Sequence, residues 1–223
     1  MQPWLIFVFI LVLAALATVA WRQDQKRRRL LRAWARSQGL KLVAEKQRGW
    51  EREYAAFRIL ERGHSRHTPL HIEGAVDGHR VRCLDYRFTT GSGKNRQTHR
   101  RALVILDVGT PVIPLCIRPE HVFDRVGEFF GHDDLDFESA EFSRRFHVSA
   151  ADRKWAYDVI HQRTMDYLLE APSVTIEFGF AEIAVISNGA LTPDRCHQGL
   201  KVARRMLELV PQDVLAQLKG DHR

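Results

Sequence analysis

Cysteine is scarce and odd in number, with three residues at positions 83, 116 and 196 in a chain of 223. Such a set makes no disulfide framework, which excludes the small stapled scaffolds. Catalytic signatures are missing as well. No Gly-x-Ser-x-Gly, His-Glu-x-x-His or dinucleotide-binding fingerprint occurs. The nearest approach to a phosphate loop is Gly91-Ser92-Gly93-Lys94, but Phe88 stands where the first glycine belongs and Asn95 where a magnesium-holding hydroxyl belongs. Its flanks read as two strands rather than a strand and a helix, so a solvated hairpin loop is expected. No internal repeat or low-complexity tract is present. Hydrophobic residues at 45% and charged residues at 27% are ordinary for a folded chain, which excludes both disorder and a multi-span membrane protein.

What is present first is a charge-free run. Trp4 to Trp21 reads WLIFVFILVLAALATVAW, eighteen positions without an ionisable side chain. As a helix it spans about 26 Å, close to the hydrocarbon thickness of a bilayer, with an indole at each end. Ala15-Leu16-Ala17 offers a cleavage-like pattern, and a cleaved signal would leave a mature chain starting near Thr18 outside the cytoplasm. No Lys or Arg precedes the run, however, and a dense basic block follows it: Arg22, Lys26, Arg27, Arg28, Arg29, Arg32 and Arg36. Such a block resists translocation, so the segment is expected to remain as a single-pass anchor in a bacterial inner membrane, with the N-terminus outside and the rest cytoplasmic.

The block also locates the net charge of +7. Residues 22 to 36 hold seven cations and one acid, Asp24, for +6, whereas the chain from Ser37 onward holds 27 cations and 26 acids, for +1. A nucleic-acid partner loses its main support. The bilayer is the expected partner instead, and anionic lipid headgroups would be attracted at about 1 kcal/mol per cation. A plain topology signal accounts for the block equally well.

The expected fold class is α+β, with an anchor over 1–21, a basic juxtamembrane helix over 22–39 and one domain over 40–223 containing an antiparallel sheet and packed helices. Leu30, Leu31 and Trp34 keep helical spacing up to Gly39. Trp50, Tyr54, Phe57 and Leu60 suggest a short amphipathic helix over 50–61, with a strand over Phe57 to Leu60 as the alternative. Two hairpins are expected, one across Asp77-Gly78, a pair suited to a type I′ turn, and one joining 102–108 to 112–117 across Gly109-Thr110-Pro111. Further on, the pattern predicts helices over 119–130, 155–169 and 193–210 and a strand pair over 174–178 and 182–186.

Histidines 64, 67, 71 and 79 are dense enough to raise a metal site, and with Asp85 they define the enzymatic alternative, a membrane-tethered metal-dependent hydrolase. No cysteine pair completes a ligand set. Asp133, Asp134, Asp136, Glu138 and Glu141 lack the glycine and terminal glutamate of an EF-hand loop. Cys196 and His197 are neighbours about 100° apart on a helix, so they do not form a nucleophile and its base. No catalytic residue, metal ligand or cofactor is therefore assigned. The polar loop 89–97, with Lys94, Arg96, Arg100 and Arg101, is the candidate binding surface for a protein partner or lipid headgroups.

Several stretches carry a family likeness: Arg62-Gly63-His64-Ser65-Arg66, Gly74, Leu84-Asp85-Tyr86-Arg87-Phe88-Thr89-Thr90-Gly91-Ser92-Gly93-Lys94, Asp136-Phe137-Glu138 and Glu141-Phe142-Ser143-Arg144-Arg145-Phe146. Over about residues 50 to 185 the chain resembles a family of uncharacterised bacterial single-span membrane-anchored proteins. The resemblance implies an inner-membrane protein and brings no catalytic residues. A non-enzymatic interaction or scaffold module is the favoured reading.

Overall fold

The computed structural model describes residues 3–120 and 135–221. The apolar run and the basic block form one uninterrupted helix, α1 (Pro3–Ser37), long and apolar enough in its N-terminal part to cross a membrane. Its apolar side chains at Trp4 and from Phe7 to Trp21 are exposed, a surface that water alone would disfavour. Gly39 ends the helix with φ 69°, a left-handed turn that suits glycine. The Leu40 and Gly39 N–H groups donate back to the Ala35 and Arg36 carbonyls, which throws Leu40 onto the sheet.

The strands are β1 (Lys41–Val43), β2 (His64–His67), β3 (His71–Val76), β4 (His79–Thr90), β5 (Gln97–Asp107), β6 (Leu115–Pro119), β7 (Phe146–Ala150), β8 (Thr175–Phe178) and β9 (Glu182–Asn188). They form one antiparallel sheet in the order β1-β3-β4-β5-β9-β8-β6-β7, with β2 continuing beside β4 where β3 has ended. The Asp77-Gly78 turn is formed as expected, with φ of 51° and 84°. β8 and β9 also pair as expected. The hairpin across Gly109-Thr110-Pro111 is not made: β6 pairs β7 and β8, while β5 pairs β4 and β9. Apolar alternation makes a strand of each segment but does not choose its neighbour.

Helices α2 (Trp50–Glu53), α3 (Ala140–Arg145), α4 (Arg153–Val159), α5 (Gln162–Glu170), α6 (Pro193–Leu209) and α7 (Gln212–Asp221) complete the described elements. The helix expected over 50–61 is instead α2 and a 3-10 turn at Arg58–Leu60, because Tyr54 leaves helical geometry at φ −123°, ψ 59°. Its four apolar residues are nevertheless all buried. The helix expected over 155–169 breaks between α4 and α5 at Ile160, whose φ −101° and ψ 63° are not helical. Asp152 caps α4 through the Trp155 N–H, and Thr192 caps α6 through the Arg195 N–H. The helix expected over 119–130 and the carboxylates Asp133 and Asp134 lie outside the described residues, apart from Pro119, which ends β6, and Glu120.

Alternation along the strands divides the core. Val81 and Cys83 of β4 and Ala102, Val104 and Leu106 of β5 face α1 and α6, in a cluster that takes in Leu31, Ala35, Cys196 and Leu200. Leu84, Tyr86, Phe88, Leu103 and Ile105 face Trp50, Tyr54, Phe57 and Leu60 on the other side. Gly199 lets α6 lie close on β5: a Cβ there would stand 2.6 Å from a Val104 methyl. The end of α1 is therefore part of the domain core.

Candidate functional site

Asp85 belongs to the strand face covered by α1 and α6, and it is fully buried. A carboxylate in that position needs donors. Its Oδ1 accepts the Leu191 N–H at 3.0 Å, and its Oδ2 receives Nη2 of Arg27 at 3.3 Å, of Arg87 at 3.3 Å and of Arg100 at 3.4 Å. Arg27 also donates to the Leu191 carbonyl at 2.9 Å and to Asp24 at 2.8 Å, and Asp24 accepts Arg28 at 2.6 Å. Arg27 and Asp85 thus hold the backbone of Leu191 between them, joining α1, β4 and the start of α6.

Burial by itself would raise the Asp85 carboxyl, but the Leu191 N–H and the guanidinium groups of Arg27, Arg100 and Arg87 hold it below the usual range. Arg100 is shifted down from its ordinary value, chiefly by burial and then by its cationic neighbours Arg87 and Arg27, against the pull of Asp85. Three cations share one carboxylate oxygen through long contacts, so positive charge is in surplus. The Nε atoms of Arg87 and Arg100 lie buried without a hydrogen-bond partner among the described residues.

The basic block divides accordingly. Arg22, Lys26, Arg29, Arg32 and Arg36 are exposed, while Arg28 is half-buried on Asp24. Arg27 leaves the membrane-surface set, because its side chain is 13% exposed and committed to Asp85 and Leu191. Lys94 and Arg96 are exposed on the turn joining β4 to β5, which is the expected hairpin loop. Arg100 points into the cluster. Arg101 lies on the opposite face with its guanidinium 5.7 Å from the Phe88 ring centre, and Arg62 approaches the same ring at 5.7 Å.

The histidines do not converge. His64 bonds Gly91 O, His67 bonds Ser65 O, and His79 bonds Asp107 O, whereas His71 is buried beside Glu73 and Trp50. Among the described residues no three His, Cys, Asp or Glu are placed to hold a metal ion. Cys196 bonds the buried Cys83, and that contact together with burial pushes its thiol far above the ordinary value. His197 is exposed. Glu177 is buried on β8, which pushes its carboxyl up to about 7 despite Arg58 nearby.

Sequence reasoning missed Arg87 and the pairing of Asp85 with Arg27. Two signals were legible: an acid at 24 followed by cations three and four residues later on a helix, and a single acid in the otherwise apolar stretch Cys83-Leu84-Asp85-Tyr86.

No family model matches the chain, and no curated protein sequence matches it. Among solved structures, the crystal structure of the mycobacterial trehalose monomycolate transport factor A, TtfA, is similar in fold, with a TM-score of 0.62 at 13% identity, covering 82% of this chain and 97% of that one. At that identity the likeness is one of architecture.

Proposed function

We propose that this chain is a non-enzymatic interaction module seated on its own membrane anchor, at the cytoplasmic face of a bacterial inner membrane, as in the single-span family it resembles. The observation that carries the reading is the continuity of α1 with the domain. Leu31 and Ala35 are fully buried in the core, and Arg27 is tied to Asp85 and Leu191, so the anchor continues into the domain without a flexible tether. A rigid seat fixes which surface meets the bilayer and which is offered to a partner protein. The exposed cations of α1 supply the expected orientation. A solved neighbour that is a transport factor is compatible with an accessory role in a membrane process.

A fluorescent protein fused after Arg223 should be active and alkaline phosphatase fused at the same point inactive; the reverse pattern overturns the orientation. The interaction reading is tested by cross-linking the full chain in native membranes. Proteins should be recovered that an unrelated domain on the same anchor does not capture. A flexible Gly-Ser insertion after Trp21, which leaves the packed part of α1 intact, should lower that recovery without changing the thermal transition. Equal capture by the unrelated domain would defeat the reading.

A further inference from the structure

Two contacts orient α1 against the sheet. Leu40 lies over Gly74, whose partner on β4 is Val81, while Arg27, thirteen residues earlier, reaches Asp85. Travel along α1 toward the N-terminus is therefore travel along β4 toward Thr90. Beyond Arg27 and Asp85 both elements run on in that direction, the helix for six residues to Trp21 and the strand for five to Thr90. The tip of the β4–β5 ribbon thus lies on the same side of the Asp85 cluster as Trp21, the indole expected at the headgroup boundary.

The ribbon is also bare where it arrives there. β9 pairs β5 as far as Arg101 and Gly189 bonds the Arg100 carbonyl, so residues 97–99 extend past it, flanked by β2 on the other edge. Segments 62–72 and 86–101, which build this end, contain seven Lys and Arg and no Asp or Glu. The buried Asp85 is shared by three arginines, and Glu51 lies 3.8 Å from Arg66. Cations in excess, presented on the side of the domain from which α1 emerges, match a phosphodiester.

We propose that the free end of the β4–β5 ribbon, with Lys94 and Arg96 at the tip and Arg87 and Arg100 behind it, binds the phosphodiester of an anionic phospholipid in the leaflet on which the domain sits. The proposal rests on the membrane-anchored reading above and adds a lipid class to it.

The test uses the full chain in nanodiscs of phosphatidylcholine, alone or mixed with phosphatidylglycerol, with hydrogen exchange read across residues 87–101 and retained lipid counted by native mass spectrometry. Phosphatidylglycerol should slow exchange at 91–96 several-fold. The exposed pair Lys94→Gln and Arg96→Gln should lose most of that effect with an unchanged thermal transition. The pair Arg87→Gln and Arg100→Gln should weaken lipid retention about thirtyfold, the loss of two cations at a leaflet. Arg204→Gln, at the far end of α6 beside Asp77, should change nothing. Equal exchange in the two kinds of disc overturns the proposal, as does equal damage from Arg204→Gln. Inorganic phosphate slowing exchange as strongly in phosphatidylcholine discs would assign the site to a soluble anion and also overturn it. If the Arg87 and Arg100 pair fails to fold, the tip pair still decides. A chain that does not enter the disc at all would instead contradict the anchor reading, which separates the two failures.

Discussion

The two ends of β4 handle charge in opposite ways. At the end remote from Arg27, Arg82 is bonded to Glu53 and, at 3.0 Å, to the Tyr54 hydroxyl, and its guanidinium lies 5.3 Å from the Trp50 ring centre. The cleft beside it, about 520 Å³, sets Lys41, Arg80 and Arg82 among Glu53, Glu73, Asp107 and Glu182. Cations and acids there nearly balance. At the end that meets α1 through Arg27, three arginines converge on Asp85, and no carboxylate occurs in residues 86–101. A balanced network closes on itself and holds a turn against the sheet. An unbalanced one fixes α1 through one buried acid, Asp85, and leaves cations over for an outside anion.

The largest way to break this contrast is Asp85→Ala. It leaves three guanidinium groups facing one another around the Leu191 N–H, and loss of one partner from a buried ion cluster costs about 3–5 kcal/mol. Denaturant unfolding of the full chain in detergent should report it. Because the folded carboxyl lies below its unfolded value, this contribution is present above the unfolded value of about 3.9 and lost as pH falls through the folded one. A change near zero would mean that the arginines find other partners and that the cluster does not seat α1 on the sheet.

Glu177 sharpens the point with the opposite sign. It is a buried carboxyl in the same sheet but lacks a crowd of cations, and burial raises it from 4.5 to about 7. Its contribution is complete below the unfolded value and is lost as pH rises through about 7, to about 3 kcal/mol at high pH. Glu177→Gln should therefore be more stable than the natural chain at pH 8 and nearly equal at pH 5, by thermal unfolding at both. Greater stability of the natural chain at pH 8 would refute the assignment.

These carboxyls also mark the limit of what was legible in the sequence. The long apolar helix with its basic continuation, the Asp77-Gly78 turn and the cap at Thr192 follow from local signals, and all appear in the structure. The partners of β6 depend on which distant edge is free, and 109–111 resembles a turn whether or not its flanks pair. The candidate site divides the same way. Lys94, Arg96, Arg100 and Arg101 stand out in the sequence because they cluster along the chain. Arg27 and Asp85 are 58 residues apart and meet only after α1 has packed on the sheet.

The smallest expected effect tests the balanced end. Glu53 is 45% exposed at its side chain, and Arg82 keeps Tyr54 and Trp50 when the carboxylate is removed. Glu53→Gln should cost less than about 1 kcal/mol, in the range of exposed pairs, and the difference should shrink in high salt, where the charges are screened. Asp85→Ala should keep most of its cost in the same salt, because its partners meet where solvent is excluded. If the two variants cost the same and respond alike to salt, the contrast between a self-contained network and a surplus of cations has no energetic basis, and the arginine end becomes an ordinary structural ion cluster.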